Sequence, residues 1–118
     1  MTTEYILYIA LGGATGTILR AFISTLLPFQ LSSFSWGTFF VNMVGCFLIG
    51  WFWVKLENPA LKAFLVTGLL GGLTTFSGLG LELFRYFNEK SYFLLATYAL
   101  VSVFVGIFLV WFGQKLAS

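Results

Sequence analysis

The chain has 118 residues; 59% are hydrophobic, 20% aromatic and only 8% charged, and the mean hydropathy is +0.98. Soluble domains carry about a quarter charged residues, so this composition excludes a water-facing surface, and the length allows one domain. A formal net charge of +2, carried by scattered basic residues, points to no nucleic-acid partner.

Spanning the hydrocarbon core takes roughly 20 apolar helical residues. Four segments meet that length and are predicted as helices at about Glu4–Leu27, Trp36–Lys55, Ala60–Tyr86 and Tyr92–Lys115. They form a single transmembrane domain over residues 1–118, with short loops around Pro28–Ser35, Glu57–Pro59 and Phe87–Ser91. The runs are long and do not alternate, which favours helices over a barrel. Short loops impose up-down-up-down order, so both termini lie on one side.

Within the first helix, Gly12 and Gly16 are four apart, the spacing at which two helix backbones approach closely. Arg20 continues that stripe near the far end. It reads either as a positive field at an anion entrance or as an anchor snorkelling to the headgroups. The segment opens with Glu4 and no basic residue, and no small-residue cleavage site follows, so it reads as a span rather than a cleavable signal.

On the second helix, Thr38, Asn42 and Gly45 share a face. An amide at the depth of Asn42 needs a partner. It reads as interhelical glue or as a hydrogen-bond donor lining a pore. Cys46 is the lone cysteine and lies mid-span, so it implies no disulfide or metal framework.

The third helix carries the strongest signal. Gly68 to Gly80 holds five glycines together with Thr74, Thr75 and Ser77. Glycine costs about 1 kcal/mol each in a helix interior. Close packing through glycine is one reading, but the Thr-Thr pair at mid-membrane favours a helix that breaks between Gly71 and Thr75. A broken backbone at that depth persists only when buried in protein or lining water, and its freed carbonyls suit a hard cation. On the fourth helix Tyr98 and Ser102 are four apart, with Gly106 next on that face. Both are candidate hydroxyl donors; a place in an aromatic belt for Tyr98 and back-bonding within the helix for Ser102 are the alternatives.

The end charges balance. Lys55, Lys62 and Lys115 lie on the side of the termini, and Arg20, Arg85 and Lys90 on the other. The positive-inside rule needs an asymmetry, and this count predicts insertion in both orientations. No carboxylate falls at mid-membrane and there is no histidine, which disfavours proton coupling. No phosphate loop and no nucleophile–base pair is present, so the chain does not read as an enzyme. Thr38, Asn42, Thr75, Ser77, Tyr98 and Ser102 remain as neutral donors, interleaved with phenylalanines. Such donors hold an anion weakly enough to release it, which suits passive anion permeation.

With these residues assembled, the sequence resembles the Fluc/CrcB family of fluoride channels. The matching segments are Gly12-Gly13-Ala14-Thr15-Gly16 with Arg20, then Gly37-Thr38 with Val41-Asn42 and Gly45, and Gly71-Gly72-Leu73-Thr74-Thr75-Phe76-Ser77 followed by Glu82. The resemblance covers all four helices. It implies a multi-pass protein of the cell (plasma or inner) membrane that passively exports fluoride. It also implies an all-α fold with the third helix broken mid-membrane, assembled as an antiparallel dual-topology dimer with two pores. A structural Na+ at the dimer centre is implied too, held by the backbone carbonyls of Gly71 and Thr74. Pore-lining roles fall on Thr38, Asn42, Thr75, Phe76, Ser77, Leu79, Tyr98 and Ser102, and vestibule roles on Arg20 and Glu82.

One departure stands out. The family continues Thr-Phe-Ser where this chain reads Gly78-Leu79-Gly80, so Leu79 replaces the second pore phenylalanine. A homodimer would carry the defect in both pores, whereas a heterodimer with a complete homologous subunit would keep one pore intact. The expectation is therefore one half of a heterodimer. Two rivals are a non-conducting partner subunit and a small four-helix drug/proton exchanger. The second lacks the carboxylate it would need deep in its first helix.

Overall fold

A computed structural model describes Met1–Ser118 and is all-helical. Helix α1 spans Thr3–Leu26 and begins where Thr2 accepts a hydrogen bond from the Tyr5 amide. It stops one residue before Leu27, which precedes Pro28 and leaves the helical region at φ −128°, ψ 70°. Helix α2 spans Trp36–Lys55. Asn58 then caps α3 by accepting from the Leu61 amide, with Pro59 pre-set for the first helical position. Four helices or helix pairs are long and apolar enough to cross a membrane: Thr3–Leu26, Trp36–Lys55, Pro59–Asn88 and Tyr92–Ala117.

The third of these is not uniform. Helix α3 (59–73) runs as an α-helical turn at Pro59–Lys62, wide π-helical turns at Ala63–Leu70, and α-helix again at Gly71–Leu73. Thr74 (φ −87°, ψ 158°) and Thr75 (φ −151°, ψ 113°) are extended, and α4 follows at Phe76–Asn88. The non-helical residues are thus the two threonines; Gly71 keeps helical angles at φ −61°, ψ −37°. This is narrower than the Gly71–Thr75 interruption expected from composition. The diverted hydrogen bonds described below, rather than glycine flexibility, account for it. Helix α4 ends in a Schellman turn: Ser91 N–H donates to Tyr86 O at 2.8 Å, and Lys90 takes the left-handed conformation at φ 57°. Helix α5 spans Tyr92–Ala117.

Two seams of glycine draw the helices together. On α1, a Cβ at Gly12 would overlap the Phe64 carbonyl oxygen of α3, and one at Gly16 the Leu69 carbonyl oxygen. On the other side, a Cβ at Gly50 of α2 would overlap the Val110 carbonyl of α5, and one at Gly113 the Phe47 carbonyl. Backbones this close gain dispersion contacts, which drive association where no hydrophobic effect operates between helices in lipid. Val41, Leu70 and Leu73 form one core cluster; Leu79, Tyr86 and Tyr98 form another. Only 19 of 118 residues are buried, so most apolar side chains are left to meet lipid or another chain.

Candidate functional site

The site is built around the interruption between α3 and α4. In a continuous helix the Thr75 amide would bond the Gly71 carbonyl, and the Gly78 amide the Thr74 carbonyl. Here Thr75 N–H donates to Asn42 Oδ1 at 2.8 Å, and Gly78 N–H donates to Thr75 Oγ1 at 2.8 Å. Both donors have been taken by side chains. The carbonyls of Gly71 and Thr74 therefore lack their helical partners. Asn42 closes a second bond, Nδ2 to the Thr75 carbonyl at 3.1 Å. Its amide pairs with Thr75 as a neighbouring strand would and holds the extended backbone in place. That is the glue reading of Asn42, with one Nδ2 hydrogen left over.

Arg20 comes to the same interruption from α1. Its Nε donates to the Gly72 carbonyl at 2.9 Å, satisfying one of the last carbonyls of α3 with a charged donor. A cation at a helix C-terminus is favoured by both the hydrogen bond and the helix dipole. The residue expected at a vestibule is therefore tied to the break by one edge of its guanidinium. Beyond the break, the first amides of α4 point outward from its N-terminus, a setting that favours negative charge.

A groove of about 340 Å³ opens between α2, the break and α5. Asn42, Thr74, Thr75, Phe76, Leu79 and Ser102 of the candidate residues line it, together with Met43 and Cys46. Ser102 is buried and its Oγ has no hydrogen-bond partner. Ser102 thus lines the groove without the usual back-bond to its own helix. Phe76 is 86% exposed whereas Leu79 is 8% exposed and packs with Tyr86 and Tyr98. Ser77 is exposed, and its hydroxyl meets Thr75 Oγ1 at 3.3 Å.

Thr38, Tyr98 and Glu82 form a separate cluster nearer one end of the bundle. Thr38 Oγ1 donates to Glu82 Oε2 at 2.8 Å, and the Tyr98 hydroxyl donates to Glu82 Oε1 at 2.8 Å. Glu82 lies half-buried inside α4, six residues before Asn88, or about 9 Å along the axis. Two hydroxyls, one from α2 and one from α5, compensate its charge. Tyr86, marked by no local pattern, extends this cluster. Its hydroxyl donates to the Ser33 carbonyl at 2.6 Å and lies 2.9 Å from Ser35 Oγ. A buried tyrosine needs such a partner, but a loop serine offers no periodic signal by which to predict one.

Residues 7–114 match the profile of the family described as CrcB-like protein, Camphor Resistance (CrcB). A protein of Flavobacterium psychrophilum named fluoride-specific ion channel FluC is 40% identical, with 96% of each chain covered. One of the same name from Aquifex aeolicus is 41% identical, covering 93% of this chain and 94% of its own. A Staphylococcus saprophyticus protein named fluoride-specific ion channel FluC 2 is 40% identical over 95% of both chains. The chain belongs to the CrcB-like family and is a multi-pass membrane protein.

Proposed function

We propose that this CrcB-like chain is a fluoride-selective channel subunit, passively exporting fluoride from the cytoplasm and so reducing its toxicity. The observation that carries the reading is the groove at the break. Neutral donors from α2, the interruption and α5 meet there with Phe76, and no fixed positive charge lines it. Neutral donors and the positive edges of aromatic rings stabilise an anion without trapping it. The relatives' names supply the identity of the anion.

In this reading the chain acts in an antiparallel dual-topology dimer with two pores. Thr67, Gly71, Ser77 and Gly80 of the third span are exposed, as is Phe76. Hydroxyls and open backbone facing lipid are unfavourable, and a second copy or a homologue covers them. The balanced end charges support insertion in both orientations. Gly71 and Thr74, whose carbonyls have lost their helical donors, fit a hard monovalent cation. We assign them as ligands of a structural Na+ between the subunits, which would brace the break. Phe76, Ser77, Thr75, Asn42 and Ser102 line the path, Thr38 and Tyr98 flank it with Glu82, and Arg20 sits at the break.

Leu79 favours an unlike partner over a copy. It stands where the family has a second pore phenylalanine, so a heterodimer keeps one complete aromatic pair. The test is fluoride efflux from liposomes, read with a fluoride electrode. This chain alone is expected to give little flux, and a co-expressed homologous subunit to restore it. Robust selective flux from the chain alone would overturn the obligate partner; no flux in either preparation would overturn the channel reading. Replacing Phe76 by Ile in the conducting complex should lower flux, and unchanged flux would favour a non-conducting role for this chain.

A further inference from the structure

The path described above does not use the two sulfur side chains in the groove, Met43 and Cys46. They are three apart on α2 and so lie on one face. Both reach the same point on α5. A Cβ at Gly106 would lie 3.3 Å from Cys46 Sγ and 3.6 Å from Met43 Cε. Because Gly106 has no side chain, the two sulfur residues meet over a bare patch of helix. One turn earlier on the same face is Ser102, 9% exposed, its Oγ without a partner. We propose that Met43 and Cys46 form a binding site for one soft monovalent cation, Cu(I) or Ag(I).

The chemistry of the donor set selects the ion. Thiolate and thioether ligands favour Cu(I) and disfavour hard ions. No cluster of three His, Cys, Asp or Glu exists in the chain to offer a competing site for harder or borderline metals. Binding forms a metal–sulfur bond at Cys46 and releases the thiol proton to water. No electron is transferred. The resulting cation–thiolate pair is neutral overall, which removes most of the cost of placing charge in an apolar groove. Met43 has three rotatable bonds, so its sulfur can swing toward the ion without moving the helix. The Ser102 hydroxyl supplies a donor to the thiolate from across the groove. A metal seated there stands in the proposed ion path and blocks it; that consequence alone rests on the channel reading.

The experiment titrates the full chain, purified in detergent and chloride-free buffer, with silver nitrate or with Cu(I) against a chromophoric chelator. One equivalent per chain is expected. Cys46→Ser should abolish stoichiometric binding, and Met43→Leu, which keeps the volume, should weaken it at least about tenfold. Ser102→Ala should weaken it by a smaller factor. Elution volume and thermal unfolding confirm that each variant is folded. Met43→Leu binding as tightly as the parent would reduce the effect to a lone thiol and overturn the site. Retention of binding in Cys46→Ser would overturn it too. In liposomes that conduct fluoride, silver should stop efflux in the parent but not in Cys46→Ser. Stoichiometric binding with undiminished efflux would overturn the blocking position while leaving the metal site standing.

Discussion

The two halves of the third span are held by different physics. Helix α3 is fixed by backbone fit, because α1 presses its glycines onto the Phe64 and Leu69 carbonyls with no room for a methyl group. Helix α4 is fixed by side-chain hydrogen bonds. Glu82 is gripped by Thr38 and Tyr98, Tyr86 by Ser33 and Ser35, and its first turn by Asn42 and Thr75. The outer face of α4 stays open, with Phe76 at 86% exposure, while Leu70 on α3 is 3% exposed. One half of the span is therefore an anchor and the other a polar-tethered element that presents the site. The break is the boundary between the two regimes.

Substitutions that attack each regime test the contrast. The largest effect is expected at Gly16. A leucine there would drive its Cβ into the Leu69 carbonyl, and backbone on both sides cannot give. Loss of about 4 kcal/mol or more is expected, seen as failure to purify a monodisperse protein. A well-folded Gly16→Leu variant would mean that α1 is not clamped on α3.

Asn42→Leu comes next. It removes both partners of the Thr75 backbone and leaves a part-buried amide and carbonyl unsatisfied, at a cost of about 2–5 kcal/mol. Thermal unfolding in detergent measures it. Amide hydrogen exchange at Thr75 should rise far more than exchange within α3. Equal rises in both halves would show that the break is not a local hinge held by Asn42. Tyr98→Phe is milder. It removes one of the two donors to Glu82, at a cost of about 1–3 kcal/mol because the acceptor is charged. Thr38→Val should cost a similar amount, and the double variant more than their sum if the carboxylate is then left bare. Strict additivity would argue that Glu82 is solvated and that the cluster does not tether α4.

This contrast also decides what was legible in the sequence. Four spans were readable from charge-free apolar runs, because a membrane imposes length and apolarity directly. The importance of Gly12 and Gly16 followed from their spacing of four. Arg20 was visible as an exception to apolarity, but its partner was not. The Gly72 carbonyl is 52 residues away, and backbone carries no sequence signal. Glu82 was read as a residue near a span end because nothing local shows that Thr38 and Tyr98 converge on it. Asn42 kept two readings for the same reason. Packing against glycine is legible as a pattern, whereas polar tethers depend on which distant donor arrives.

The smallest expected effect is the sharpest test of the contrast. At Gly80, on the outer face of α4, an added Cβ would meet no atom within 4 Å. Alanine is favoured over glycine in a helix interior by about 1 kcal/mol. If no backbone clamps the outer face of α4, Gly80→Ala should leave stability unchanged or raise it by no more than that, as measured by thermal unfolding. A substantial loss has one physical source, a backbone from a second chain pressed against Gly80 as α1 presses against α3. In that case α4 would also be anchored by backbone fit, supplied by the partner, and the difference between the halves would be which chain provides the clamp.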